Sequence, residues 1–249
     1  MRASIARWAR HAGLAVIVAL ASAMSPTAAQ VLDASTPPGD VNEADIEASN
    51  GKIKAGYGAL VSMWSADFKQ LGARFMAPGL LRYRGAVRTS CGIMPANNAL
   101  YCPSRNAIYF DEVFVARQAK AAARALGTDG DMVAVGIIAH EMGHAVAIQL
   151  GETSPVPYEN EATADCLAGA FTQQARRDGT LESGDLEEAF FGMAAAGDPT
   201  PQYTGNRRID SRISLRAALL GHGTREQRQA NFKSGFEGGA AACLPAFRG

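Results

Sequence analysis

Histidine is scarce in this chain, with four residues in 249. An excess of either charge is also missing, because 24 basic residues face 24 acidic ones and no window gathers a basic patch. That excludes the electrostatic footprint of a nucleic-acid binder. Cysteine is limited to four residues, none in a C-x-x-C spacing, which argues against a thiolate zinc site. There is no internal repeat and no low-complexity tract, and past residue 29 no segment reads as a membrane span.

Against that scarcity, two of the four histidines stand four residues apart around a glutamate, in His140-Glu141-Met142-Gly143-His144. The run from Met132 to Leu150 is otherwise apolar and reads as a helix. Positions i and i+4 share a helix face, so both imidazoles can reach one ion. Glu141, one step round, can touch a water on that ion without being a ligand. This is the H-E-x-x-H pattern of zinc hydrolases. The bland alternative is two core histidines bracketing a surface glutamate, and it leaves their spacing unexplained.

A catalytic zinc takes three protein ligands and keeps one position open. The extended motif with a third histidine fails, because Ala147 and Leu150 occupy its Gly and His positions. A glutamate from a following helix is the other solution. Gly151 ends the first helix, Pro155 and Pro157 hold the chain extended, and a helical run begins near Glu159. Within it, Glu161 and Asp165 are again i and i+4. Glu161 is read as the third ligand and Asp165 as the acceptor of a ligating histidine's free ring N–H, which fixes its tautomer. Glu159 and Glu152 are rival ligands. Glu159 lacks a carboxylate one turn on.

These residues resemble those of the bacterial neutral zinc metallopeptidases, which are gluzincin-like. The resemblance spans roughly residues 50 to 243. It rests on Cys91-Gly92 and Tyr101-Cys102-Pro103, then Ile108-Tyr109-Phe110-Asp111, Ile138 to His144, Glu161 with Ala164-Asp165-Cys166, Gly184 to Ala189, His222-Gly223-Thr224, Glu226-Gln227-Arg228 and Phe232. Departures are Ala145 where the family often has His, Ala147 where it has Gln, and Ala162-Thr163 where Leu-Gln is usual. None removes a ligand or the base. The resemblance implies a peptidase with one Zn2+ per chain, acting on peptide or protein substrates.

Arg2, Arg7 and Arg10, the apolar stretch Ala12 to Met24 and the small residues to Ala29 read as a signal peptide over 1–29, with Gln30 the mature start. An uncleaved anchor is the alternative, and it is the one way a membrane would become a partner. Removing those arginines leaves 21 basic against 24 acidic residues. The expected location is periplasmic or secreted. An even number of cysteines in an exported chain points to disulfides. Cys91 and Cys102 flank a short loop holding Pro95, Asn97 and Asn98 and pair most economically, which leaves Cys166 for Cys243.

The expected fold is α+β, a helix-rich zincin-like single domain over 51–249 with a small sheet beside the zinc helix, after a flexible leader over 30–50. Leu60, Trp64, Phe68 and Leu71 mark a helix face, broken at Pro78-Gly79. Leu81, Tyr83 and Val87 alternate with Arg82, Arg84 and Arg88 as a half-buried strand with a solvated basic face. Ala107 to Phe110 is a buried strand. Helices follow over Glu112 to Leu126, from Asp185 to Ala196, around Ile213 to Leu220, and after Thr224. Asp131 is expected to cap the zinc helix, with capping boxes at Asp185/Glu188 and Thr224/Gln227.

Chemically, Glu141 is the expected general base. His222, in a loop before a helix, is either an oxyanion donor or a structural hydrogen-bonding residue. Tyr109 is a further candidate, on a strand to whose edge a peptide could add. Two other functions use the same residues: a zinc hydrolase of non-peptide amides or esters, and a silent zinc-stabilised envelope binding protein. An intact Glu141 argues against the second.

Overall fold

The computed structural model describes residues 41–248. The expected signal peptide over 1–29 and the first part of the expected leader lie outside the described residues. The rest of that leader is not a linker. Helix α1 runs Glu43–Gln70, because Asn42 accepts from the Asp45 N–H and the Asp45 side chain accepts from the Asn42 N–H, a complete capping box. Ile46 and Ser49 are already buried. The helix also ends earlier than Pro78-Gly79 suggests, at Gln70, with Leu71 as C-cap and 37% exposed.

A three-stranded sheet follows in the order β1-β5-β4. Strand β1 (Gly79–Tyr83) pairs in parallel with β5 (Ala107–Asp111), and β4 (Ala99–Cys102) pairs antiparallel to β5 on its other side. Between them β2 (Val87–Thr89) and β3 (Gly92–Met94) form a separate hairpin. The expected alternation fails at Leu81, which is 42% exposed. Its arginine neighbours are not merely solvated. Arg82 pairs with Glu47 and Glu112, and Arg84 with Glu43 and Glu112, so the sheet is pinned to α1 and to the start of α2 (Glu112–Leu126).

Helix α3 (Asp131–Leu150) is the axis of the molecule. Helices α1, α2, α4 (Pro157–Arg177) and α5 (Asp185–Ala195) and strands β4 and β5 all pack on it. By length and composition alone α3 could cross a membrane, contrary to the expectation from sequence. It is instead a core helix, apolar all round because neighbours cover it on most sides. The remaining helices are α6 (Arg207–Leu220), α7 (Arg225–Gly238) and the short α8 (Ala240–Cys243). Helix-rich α+β architecture is therefore the fold.

Disulfides join Cys91 to Cys102 and Cys166 to Cys243. The first closes the β3–β4 segment and the second fastens α8 to α4. They fit a compartment outside the reducing cytoplasm.

Two close approaches set the helix geometry around α4. A methyl on Gly143 of α3 would lie 2.9 Å from the Ala164 backbone, so these helices meet with only glycine between them. On the far side of α4 a methyl on Gly235 would lie 1.7 Å from the Cys166 carbonyl, so α7 crosses α4 almost backbone to backbone. Helix α4 is thus clamped between the histidine helix and α7.

Candidate metal centre

His140 and His144 lie on one face of α3, and Glu161, on the first turns of α4, faces them across the Gly143 contact. His140 Nε2 is 3.2 Å from Glu161 Oε2, and His144 Nε2 is 3.6 Å from Glu161 Oε1. One ligand atom from each lies within 4.8 Å of the others. Tetrahedral zinc with N and O ligands at about 2.0–2.1 Å separates neighbouring ligand atoms by about 3.3 Å. The observed spacings bracket that value. Glu161 Oε2 is also buried without a hydrogen-bond partner, the state of an oxygen that keeps a lone pair for an ion. The three donors therefore fit a zinc ion. Glu159 hydrogen-bonds the Ser154 hydroxyl and Glu152 the Ala246 N–H, so neither rival joins the group.

The electrostatics of the metal-free centre follow from this crowding. Burial alone would lower the His140 pKa, but the hydrogen bond to Asp165 and the adjacent Glu161 carboxylate override it and raise it to about 10. For Glu161 burial acts to raise the pKa, and the two histidines hold it far below the usual carboxylate range.

Behind the ligands, Asp165 accepts from His140 Nδ1 at 2.8 Å while Nε2 faces the centre. Asp165 is fully buried and is itself clasped by Arg228 of α7, with Nε to Oδ2 at 3.0 Å and Nη2 to Oδ1 at 2.6 Å. Arg228 also donates to the Ala196 carbonyl. The motif Glu226-Gln227-Arg228 was visible in the sequence without a role for its arginine. No local pattern ties a residue to a carboxylate 63 positions away. Its one signal was a guanidinium on a helix turn that also had to supply core packing.

Glu141 is buried but stays outside the ligand triad. Its Oε2 accepts the Tyr101 backbone N–H at 2.7 Å, a contact that sequence reading missed. Tyr101 lies on β4, whose other edge carries no strand among the described residues. Alternate residues of an antiparallel strand turn their main-chain groups away from the partner, and Tyr101 shows that this set faces the centre. The main-chain groups of Ala99 face the same way. Tyr109 is a correction. It sits on β5, which is paired on both sides, and it does not line the cleft. The edge that faces the centre belongs to β4.

A cleft of about 340 Å³ opens over the centre. Its walls include the β4 edge at Ala99 and Leu100, Phe114 of α2, Val133 and Ile137 of α3, and Met193 of α5. His222 also lines it, from the loop before α7, with its side chain 60% exposed and Nδ1 3.9 Å from Asp198 Oδ1.

Two expected caps are replaced. The N-cap of α3 is Gly130 with no side-chain bond of its own, and Asp131 is turned to Lys52. Glu188 of α5 instead accepts the Gly130 and Met132 N–H groups, both at 2.8 Å. Helix α5 likewise begins after Gly184 without a capping box, because Glu188 is committed to α3. The Thr224/Gln227 box at α7 is present.

A family model described as "Putative neutral zinc metallopeptidase" matches residues 10–247. The chain is 34% identical over 197 residues to the uncharacterized protein YpfJ of Escherichia coli strain K12. It is equally similar to the protein of that name in Escherichia coli O6:H1. The match covers 72% of this chain and 64% of each relative, so the chain spans less than two thirds of their length. No solved structure is significantly similar.

Proposed function

The chain belongs to the neutral zinc metallopeptidase family, and on that premise we propose that it is an exported endopeptidase, periplasmic or secreted, with Glu141 as general base. The observation that carries this reading is the position of Glu141. It is beside the three donors, outside their set, and oriented by a main-chain N–H. A purely structural ion needs no such neighbour.

His140, His144 and Glu161 would hold the ion. Zinc held there would supply positive charge that lowers the pKa of water to about 7 and polarises a carbonyl. Glu141 takes the attacking water's proton and returns it to the leaving amine. The Tyr101 N–H holds the carboxylate in place for both transfers. Ala99 offers main-chain groups to an extended peptide laid along β4, and Phe114, Val133, Ile137 and Met193 offer an apolar wall to its side chains. His222, which lines the cleft, would donate to the developing oxyanion.

The test is hydrolysis of denatured casein by the zinc-loaded chain. Activity should vanish with chelator and return with zinc. Glu141→Gln should keep zinc and melting temperature and lose about 10²–10⁴-fold in kcat. A zinc-loaded chain inert toward casein but active on small esters would move the reading to a non-peptide hydrolase. Full activity in Glu141→Gln would overturn the role of Glu141.

A further inference from the structure

At the N-terminal end of α3 a second group of carboxylates has no place in the reaction. Asp129, Asp131, Asp185 and Glu188 each offer one oxygen within 4.8 Å of the others. Among the described residues one cation is paired with them, Lys52, which bonds Asp131 and lies 3.3 Å from Asp129. One ammonium against four carboxylates leaves the group strongly negative.

Acidic groups at a surface are ordinary, but this one reaches inside. Asp185 is 5% exposed and Glu188 fully buried. Asp185 Oδ2 accepts the Glu182 N–H, while Asp185 Oδ1 is buried with no hydrogen-bond partner. Burial, and then the charges of Asp131, Glu188 and Asp129, push the Asp185 carboxyl up to about 6. One residue before Asp129, the Thr128 hydroxyl is another buried oxygen without a partner. Such groups are expensive to bury unless something compensates them.

We propose that Asp129, Asp131, Asp185 and Glu188 form a calcium site that braces the N-terminus of the zinc helix. The donors are all oxygen, the preference of a hard cation. Calcium takes oxygens at about 2.3–2.6 Å, so ligands on opposite sides of it are about 4.6–5.2 Å apart. A group spanning 4.8 Å fits that sphere. Magnesium demands near-ideal octahedral geometry and keeps its waters, which four carboxylates on two helices and a loop do not provide. Lys52 gives way readily, being 44% exposed on a flexible stem. Glu188 keeps its bonds to the Gly130 and Met132 N–H groups and uses its remaining lone pairs. The ion would then tie α5 and the residue 127–130 turn to a helix that lacks a cap of its own. Asp131 and His140 are nine residues apart, about 13 Å along the helix, so the site acts on the seating of α3 and not on the reacting atoms.

The test titrates calcium chloride into the zinc-loaded full chain and follows melting temperature, with calorimetry for stoichiometry. One calcium per chain and a saturable rise in melting temperature are expected, with magnesium far less effective. Asp185→Asn should retain zinc, bind calcium on the order of tenfold or more weakly, and melt no lower than the native chain when calcium is absent. Lys52→Ala should bind calcium more tightly, since it removes the competing cation. Asp129→Asn, at the exposed rim, serves if Asp185→Asn does not fold, and should also weaken binding. No calcium-dependent rise in the native chain, or an equal rise in the aspartate variants, would overturn the site.

Discussion

Four charged or ionisable side chains of the centre form one line, from half-buried Glu161 through buried His140 and Asp165 to buried Arg228, and each depends on the next. Asp165 fixes His140 through Nδ1, and Arg228 fixes Asp165 through two hydrogen bonds. Asp165→Asn would leave the Arg228 guanidinium buried without its counter-charge. Breaking such a pair costs about 3–5 kcal/mol, and loss of a partner behind a ligating histidine typically weakens metal affinity about 10–100-fold. Denaturant midpoints and chelator competition measure the two effects separately. A variant with native zinc affinity would remove Asp165 from any role in holding His140.

The same residues set a pH dependence. In the metal-free chain His140 has a pKa raised to about 10, above the unfolded value of about 6.5. Its protonated form therefore stabilises the metal-free fold fully below pH about 6.5, and that contribution is lost as pH rises through about 10. Zinc needs the neutral ring, so binding displaces a proton and apparent affinity should increase with pH across the neutral range. Titrations at pH 6, 7 and 8 with a competing chelator check this. An affinity flat over that range would mean that His140 is already neutral before zinc binds.

At the scale of helices and strands, the spacing of the donors depends on how closely α3 and α4 approach. Gly143 lies inside the histidine motif, yet its conformation is ordinary helix, and what it provides is contact with the Ala164 backbone. Gly143→Ala should push α4 outward and carry Glu161 with it. Overpacking of this kind costs about 1–3 kcal/mol, and zinc affinity should fall more than stability alone would predict, because one ligand moves and two do not. Native zinc affinity in a destabilised variant would show that α4 can shift without disturbing Glu161.

This is also the scale at which sequence reading succeeds and fails. Helix α2 and the position of Gly151 at the end of α3 were legible, since strong periodicity and a C-terminal glycine are local signals. Likewise His140, His144, Glu161 and Asp165 could be grouped, because i and i+4 on two consecutive helices is nearly local geometry. The start of α1 was hidden by polar composition around its capping box. The cap of α3 was misread because Glu188, 56 residues beyond Met132, does what Asp131 could have done. For Tyr109 and β4 the fault was sheet order. A strand's place at the edge or centre of a sheet is decided by long-range pairing, and only the register shows that β5 is central.

For the molecule as a whole, the two disulfides constrain very different lengths of chain. Cys91 and Cys102 are 11 residues apart, whereas Cys166 and Cys243 are 77 apart. In the chain-entropy model the shorter loop contributes about 3 kcal/mol and the longer about 4–5 kcal/mol. The longer one also has a local effect, because Cys166 follows Asp165 and its carbonyl is where Gly235 of α7 crosses α4. Cutting it frees the C-terminal helix α8 and loosens the α4–α7 contact that presents Arg228 to Asp165. The Cys166→Ala/Cys243→Ala double variant should therefore lose more stability than Cys91→Ala/Cys102→Ala, by about 1–2 kcal/mol in denaturant unfolding. It should also lose zinc affinity, while the other pair keeps it. If both pairs lower stability equally and neither alters zinc binding, the Cys166–Cys243 bond is a passive tether and the α4–α7 contact holds the centre without it.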